Sequence, residues 1–363
     1  MTTKEKVLQR LARVQGQPLS GEALAAECGV SRAAIWKAVN ALRTEGNQIE
    51  GTPNGGYVLA DDDIFSAEIF AETFSKRFPN FSNFHIECFK EIDSTNTYAK
   101  RILAESGSLR NADGSLTPAG QKYHCAILIA EKQTAGRGRL GRTFVSPERT
   151  GIYISLIYAP KGGISEPASL TACCAVAVCR ALKKLFGIDA QIKWVNDIFA
   201  GGKKICGIGT EGIANFESRV IESAIIGIGV NIKENKTAFD GALGKIAGTL
   251  EAALRSTDKD NEKPRLNRCQ IAAEIVGQVF AIFEEDTKSV EAHNAIIKEY
   301  KAASLLLGQR ITVFPVIGDT KSSYKATATD INSNAELVVT LDDGSTRILR
   351  SGEVSLKSGE FVT

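Results

Sequence analysis

A segment rich in arginine and glycine, residues 131–144, contains the side chains best suited to chemistry in this chain. Each of its three arginines offers a planar fork of donors that binds phosphate or carboxylate. The three glycines allow the backbone to bend so that N–H groups turn toward an anion. The spacing matches neither the phosphate-binding loop nor the dinucleotide-binding loop. Taken alone, the segment fits an anion-binding loop and a solvated basic loop equally well.

Three further segments could contact a polar ligand. Lys193 lies in an apolar predicted strand, 191–195. Burying a lysine costs free energy unless its ammonium group meets an anion or faces a cleft. The alternative is that 191–195 form a solvated edge strand. Residues 93–96 begin a predicted helix, where free N–H groups could bind a ligand or where Asp93 or Ser94 could simply cap the helix. The glycines in 227–231 indicate close approach of backbone or ligand.

The composition describes a globular protein of several domains. The chain has 363 residues, of which 43% are hydrophobic and 24% charged, and this length predicts two or three domains. No apolar run is long enough to cross a bilayer, and the N-terminus does not resemble a signal peptide. The eight cysteines include no Cys-x-x-Cys pair, which favours reduced thiols over disulfides or a zinc site. We therefore expect a cytoplasmic protein without a membrane partner.

Residues 1–62 have the pattern of a winged helix-turn-helix. Three short helices are predicted, the third capped by Ser31, and a hairpin with its tip at 53–56 follows. The alternative is a helical protein-interaction domain, and seven basic residues against five acids in 1–60 leave the charge nearly neutral. The order of elements favours DNA binding. Donors for phosphates and base edges would come from Ser31, Arg32, Lys37, Asn40 and Arg43.

The rest of the chain divides into two further predicted domains. Three consecutive aspartates at 61–63 predict a hinge. The second predicted domain, 63–304, alternates apolar strands with helices. Residues 106–121 are predicted to form a surface loop. Residues 305–363 alternate short strands with turns, including a hairpin signal at 342–345, and predict a small β-barrel.

Five segments occur in an order that resembles the bifunctional biotin protein ligases, which are also repressors of the biotin operon. The resemblance covers nearly the whole chain and implies an α+β multidomain fold: a winged helix-turn-helix, a mixed β-sheet with helices like that of class II synthetases, and an SH3-like β-barrel. Val195 stands where that family usually has proline, and Gly209 where it usually has leucine. The matching segments are 93–96, 136–142, 193–197, 227–231 and 352–356.

The resemblance implies an ATP-dependent reaction with Mg²⁺ accompanying the nucleotide and no metal ligands assigned to the chain. Biotin would be activated as biotinyl-5′-AMP and transferred to a lysine of a biotin carboxyl carrier domain. The catalytic residues implied are Lys193 and Arg139. Biotin would be bound by Ser94, Thr95, Asn96, Gln133, Gly136, Arg137, Gly138, Lys193, Gly207, Gly227 and Gly229. The nucleotide would be bound by Arg139, Arg142, Phe144, Asn196, Lys204 and Asn231.

The resemblance also implies regulation, and two other functions compete with it. The adenylate-bound form would dimerise and bind operator DNA, with biotinyl-5′-AMP as corepressor. One alternative is a lipoate-type ligase, although the Arg-Arg-x-Ser-Gly-Gly-Gly segment of that family is absent. The other is a transcription factor that senses a small molecule without catalysis, which would not need groups for handling pyrophosphate.

Overall fold

The structure is a computed structural model and describes all residues except 1, 15, 46, 53–54, 61–62, 64, 82–83, 215–220, 236–238, 240, 258–265, 316–320, 351–352, 359–360 and 363. Three predicted features therefore lie partly outside the described residues. They are the hairpin tip at 53–56, the acidic hinge at 61–63 and the last matching segment, 352–356.

The N-terminal unit has the predicted winged helix-turn-helix arrangement. Helices α1 (Thr3–Arg13), α2 (Gly21–Cys28) and α3 (Arg32–Thr44) precede the antiparallel strands β1 (Ile49–Thr52) and β2 (Gly56–Leu59). Each helix begins at a hydroxyl cap that accepts a backbone hydrogen bond, as the sequence indicates for Ser20 and Ser31. A separate apolar core, which includes Val7, Leu11, Leu24, Ile35 and Leu42, holds the three helices together.

A seven-stranded mixed sheet forms the centre of the second unit, in the order β3-β4-β5-β9-β8-β7-β6. Strands β3 and β4 are parallel and the other neighbours are antiparallel. The strands are β3 (Ile86–Phe89), β4 (Ala126–Ala130), β5 (Gly151–Tyr158), β6 (Gln191–Lys193), β7 (Asp197–Ala200), β8 (Lys203–Ala214) and β9 (Ile221–Asn231).

Helices cover both faces of this sheet, but unequally. The large core on one face joins alternate residues of β5 and β9 to the long helices α7 (Pro167–Phe186) and α10 (Arg268–Asp286). On the other face, a smaller core under α5 (Thr95–Ser106) includes Ile157 and Ile225. The remaining part of this second face borders the candidate site. Further helices are α4 (Ala67–Arg77), α6 (Pro118–Tyr123), α8 (Gly241–Ile246), α9 (Leu250–Thr257) and α11 (Val290–Ala302).

The predicted loop at 106–121 is partly helical. Thr117 caps α6, with Pro118 at the first helical position, where its missing N–H costs nothing. Gly120 is buried so tightly that an added Cβ would lie 1.9 Å from the carbonyl oxygen of Leu109. The prediction of a surface loop was therefore wrong for residues 118–121, which are helical.

The C-terminal strands form an open sheet among the described residues, so the predicted SH3-like β-barrel is not confirmed. The order β13-β12-β11-β10-β14-β15 leaves β13 and β15 as unpaired edges in the described part of the chain. Closure requires the first and last strands to pair, and here those edges are four and two residues long. The strands are β10 (Arg310–Phe314), β11 (Tyr324–Ile331), β12 (Leu337–Thr340), β13 (Thr346–Leu349), β14 (Glu353–Ser358) and β15 (Phe361–Val362).

This sheet packs directly onto the second unit. Ile311, Val313 and Leu337 belong to the same continuous core as the central sheet. Trp194, beside the end of β6, donates its indole N–H to the carbonyl oxygen of Ala335 at 2.8 Å. The C-terminal sheet thus holds the segment that follows Lys193 in place. Among the described residues, no helix is both long enough and apolar enough to cross a membrane.

A buried cluster of charges lies where three segments of the second unit meet. The guanidinium of Arg268 is fully buried and contacts Asp63 at 2.8 Å and Glu131 at 2.8 Å. Lys233 reaches the same Asp63 carboxylate at 2.5 Å, and the guanidinium lies 5.1 Å from the ring centre of Phe65. The cluster joins the boundary after the N-terminal unit to Glu131, the first residue of the arginine-glycine segment.

Candidate active site

The arginine-glycine segment is a folded hairpin-like loop at the end of β4. Its backbone is closed by a bond from Gly138 N–H to the Arg142 carbonyl at 2.7 Å and one from Phe144 N–H to the Gly136 carbonyl at 2.9 Å. Between these lies a short 3-10 turn, Arg139–Gly141. An added Cβ at Gly136 would lie 2.4 Å from the Phe144 carbonyl oxygen, so only glycine allows this close return. The loop thus has a defined backbone, although Arg137 and Arg142 remain exposed to solvent.

A first cavity lies between this loop, the start of α5 and the central sheet. It brings together nearly all the residues expected to bind biotin, although Gly136 and Lys193 do not line it. Ser94 both caps α5, accepting from Thr97 N–H, and lines the cavity, so the two alternatives weighed for it are compatible. The expected residues that line it are Ser94, Thr95, Asn96, Gln133, Arg137, Gly138, Gly207, Gly227 and Gly229.

A chain of hydrogen bonds fixes the polar groups of this cavity. Thr95 donates from its backbone N–H to the side-chain oxygen of Gln133 at 2.9 Å. The hydroxyl of Ser155, fully buried in β5, lies 2.7 Å from the Thr95 hydroxyl and 2.5 Å from the Asn96 amide oxygen. The Asn96 amide N–H donates to Glu211 at 2.9 Å. These partners hold the amide and hydroxyl groups in one orientation before any ligand arrives.

The floor of the cavity is made of glycines on two neighbouring strands. Gly207 pairs with Gly229 and Gly209 pairs with Gly227 across β8 and β9, so all four face the same side of the sheet. An added Cβ at Gly229 would lie 2.4 Å from the Phe144 ring, and one at Gly227 would lie 2.6 Å from the Asn96 amide oxygen. Glycine at these two positions is therefore required by neighbours already in place.

A second cavity adjoins the first and shares part of its wall. Lys193, Arg142 and Asn231, each assigned to catalysis or nucleotide from the sequence, line this second cavity. Lys193 is 9% exposed, and its position away from the first cavity separates it from most of the expected biotin residues. The two cavities share Gly138, Arg139, Phe144, Asn196 and Lys204.

The shared wall is itself tied together by hydrogen bonds. Arg139 donates to the side-chain oxygen of Asn196 at 2.9 Å, and the Asn196 amide donates to the Ile208 carbonyl at 3.0 Å. Lys204 lies 2.7 Å from the Asp197 carboxylate. Two cations of the second cavity are thus positioned, Arg139 by Asn196 just before β7 and Lys204 by Asp197 at the start of β7. Such fixed positive charge suits a ligand with several phosphates.

The sequence reasoning did not identify several residues of this site. Ser155 and Tyr153 lie on the ligand side of β5, and Ser155 was recognisable only as a hydroxyl in an otherwise apolar strand. Glu211 holds Asn96 and is paired with Lys100 at 2.5 Å. Burial acts to raise the pKa of the Glu211 carboxyl, but the hydrogen bonds from Lys100 and Asn96 outweigh it and lower this pKa. Glu211 therefore stays charged and keeps Asn96 oriented.

The residues predicted to contact DNA lie together on α3. Ser31, Arg32, Lys37 and Arg43 are exposed, but Ser31 also caps the helix and Arg43 donates to the Ile49 carbonyl of β1 at 2.8 Å. The sequence reasoning missed Trp36, whose side chain is 58% exposed beside them. In the sequence, Trp36 lies outside the apolar stripe of α3, and that position indicates an exposed side chain.

Comparison with known proteins agrees with both units. Residues 89–231 match the biotin/lipoate A/B protein ligase family, and residues 3–58 match a helix-turn-helix domain. The bifunctional ligase/repressor BirA of Bacillus subtilis is 32% identical over 262 residues, covering 69% of this chain and 72% of that protein. Its Escherichia coli namesake is 26% identical over 340 residues, covering 87% and 96%.

Solved structures agree on the fold. The biotin protein ligase of Aquifex aeolicus, solved with biotin and ATP, superposes with a TM-score of 0.57 at 21% identity. The match covers 75% of this chain and 98% of that one. With the two cavities, the winged helix-turn-helix and the extent of the Bacillus match, the chain belongs to the biotin/lipoate A/B protein ligase family.

Proposed function

We propose that the protein is an ATP-dependent ligase that activates biotin as biotinyl-5′-AMP and transfers it to a lysine of a biotin carrier domain. The observation that carries this proposal is the pair of adjoining cavities with one shared wall. The first offers amide and hydroxyl groups suited to an uncharged bicyclic ring, and the second offers cations suited to phosphates. A carboxylate lying across the shared wall would meet the α-phosphate of ATP.

The chemistry needs charge stabilisation more than an acid-base pair. In the first step a biotin carboxylate oxygen attacks the α-phosphorus, a P–O bond forms, and pyrophosphate leaves. We assign Lys193 and Arg139 to stabilise the negative charge that develops there, and Arg142, Lys204 and Asn231 to hold the nucleotide. In the second step the neutral amine of the carrier lysine attacks the acyl carbon. A C–N bond forms, the acyl C–O bond breaks as AMP leaves with its electrons, and the amine proton is released to water.

Magnesium fits this site as a companion of ATP. In the described part of the chain no three His, Cys, Asp or Glu side chains converge, so the protein offers it few ligands. Mg²⁺ is commonly bound through one or two protein oxygens and substrate phosphates. Asp197, which also pairs with Lys204, and Asn231 line the second cavity and would supply such oxygens. The ion would neutralise phosphate charge.

Exchange of labelled pyrophosphate into ATP tests this proposal. The assay would be run with biotin, lipoate and octanoate in parallel, and biotin alone should support exchange. Exchange with lipoate would instead favour a lipoate-type ligase. A folded protein that binds biotin without any exchange would favour a sensor without catalysis.

We predict that Arg139→Gly still forms the adenylate but releases it faster than the parent protein. Arg139 lies on the shared wall and is held by Asn196 at 2.9 Å, where it can contact the reacting group from the loop side. Its loss removes a charge-assisted contact that should retain the intermediate. Release of labelled adenylate through a filter measures this, and a release rate equal to that of the parent would contradict the assignment.

We also propose that residues 1–62 bind operator DNA as part of a homodimer that forms when adenylate is bound. The helix-turn-helix match, the names of the BirA relatives and the exposed basic face of α3 support this role. Sedimentation and DNA binding measured with and without biotin and ATP test it. Equal DNA affinity under both conditions would remove adenylate from the regulation.

Trp36 provides a direct reporter of DNA binding. We predict that Trp36→Ala weakens operator binding by roughly tenfold, or about 1.4 kcal/mol, because an exposed indole among the donors proposed to contact DNA can pack against bases or sugars. The exposed position means that stability should hardly change. Because Trp194, the second of two tryptophans, is buried, DNA should alter mainly Trp36 fluorescence in the parent. Unchanged affinity in the variant, with unchanged pyrophosphate exchange as control, would place DNA elsewhere.

The division into domains 1–62, 63–304 and 305–363 remains part of this proposal. A cytoplasmic location is also proposed. It is supported by eight free cysteines, five of them buried, since such thiols persist where the compartment is reducing.

A further inference from the structure

Gly209 differs from the other glycines in the floor of the first cavity. The space above Gly227 and Gly229 is filled by Asn96 and the Phe144 ring. An added Cβ at Gly207 would be in ordinary contact with Lys204 at 3.5 Å, whereas one at Gly209 would meet no atom within 4 Å. Because Gly209 lines the cavity, this open space belongs to the ligand.

The neighbours of Gly209 are held away from this space. Glu211, two residues further along the same face of β8, is engaged by Asn96 and Lys100. Thr210 faces the opposite side of the sheet, where its hydroxyl accepts from Thr171 at 2.8 Å. These contacts keep both side chains from turning into the opening. The opening is therefore a fixed feature of the floor.

We propose that Gly209 determines the size of the acid that the first cavity accepts, and that it admits biotin analogues with an extra uncharged group on the bicyclic ring. This inference rests on the proposed ligase function. The added group must be uncharged, because a charged group would lose its hydration when it is placed against a cavity floor built of peptide backbone. Gly209 lies in a regular strand, so a side chain there strains nothing in the backbone.

Substitution of Gly209 should change the selectivity between biotin and its larger analogues without abolishing ligand binding. A methyl from Gly209→Ala would remove part of the opening, and Gly209→Leu would fill it. Adding or removing one methylene in an apolar pocket changes selectivity by roughly 10- to 200-fold. We therefore expect Leu to lower kcat/KM for a ring-methylated biotin at least tenfold more than for biotin, with Ala between Leu and the parent.

The test measures pyrophosphate exchange for biotin and for biotin methylated on either ureido nitrogen. The parent protein should use at least one methylated acid within tenfold of biotin. A rising preference for biotin over the methylated acids along the series from Gly to Ala to Leu supports the inference. The Ala variant serves if the Leu variant does not fold, as checked by thermal unfolding. Rejection of both methylated acids by the parent, or equal losses for all acids in the variants, overturns it. Absence of exchange with biotin in the parent would instead overturn the proposed function itself.

Discussion

Replacing Lys193 with alanine should slow adenylate formation by roughly a hundredfold or more, the range seen when one preorganised charge donor is removed from an active site. Lys193 ends β6 and is 9% exposed, lining the second cavity close to Asn196 on the shared wall. An ammonium group so poorly solvated acts on a nearby phosphate far more strongly than it would in water. Biotin-dependent pyrophosphate exchange measures the effect.

The fold should survive this change, because the backbone pairing of Lys193 with Asp197 does not depend on the side chain. Lys203 offers a control of the same residue type, since it begins β8, two strands from β6 in the same sheet, and lines neither of the two cavities. Lys203→Ala should retain exchange. If Lys193→Ala exchanges pyrophosphate as fast as Lys203→Ala, then Lys193 has no part in adenylate formation.

The N-terminal unit was predictable because its signals are local. The caps at Ser20 and Ser31 and the apolar stripe through Ile35 and Leu42 lie within single helices. A cap acts on residues two or three positions away, so sequence order contains the required information. The exposure of Trp36 followed from the same stripe and could have been inferred with it.

The site was predictable in its motif residues but not in its supporting contacts. Gln133, Thr95 and Asn96 were recognisable from two short segments, and the structure brings them into one cavity. Ser155 and Glu211 were not, because their role depends on the register between β5, β9 and β8. Register is set by pairings between distant strands, which no local pattern encodes.

The C-terminal sheet illustrates the same limit. Alternating apolar residues and the turn at 342–345 predicted four of its six strands, including β12 and β13, but not β14 and β15. Whether the sheet closes depends on whether its two edge strands pair with each other, and β13 and β15 do not pair among the described residues. The strands instead share a core with the central sheet, which buries their inner face without closure.

The buried charge cluster should make Arg268 the most sensitive position for stability. Arg268→Leu should lower the free energy of unfolding by about 3–5 kcal/mol, the usual cost of removing one partner from a buried ion pair. The change leaves Glu131, 14% exposed, without its guanidinium partner and removes two contacts at 2.8 Å. Lys233 still neutralises Asp63, so most of the decrease in the free energy of unfolding should come from the unpaired carboxylate of Glu131. Urea denaturation measures it.

The variant Arg255→Leu provides the comparison that separates the effect of burial from the effect of losing a charge. Its guanidinium pairs with Glu234 at 3.0 Å and Glu251 at 2.7 Å but is 41% exposed, so Arg255→Leu should cost at most about 1 kcal/mol. Arg268→Lys should fall between these variants, because an ammonium keeps the charge but cannot reach both carboxylates with a planar fork. Equal losses for Arg268→Leu and Arg255→Leu would mean that the buried cluster contributes no more than a surface pair.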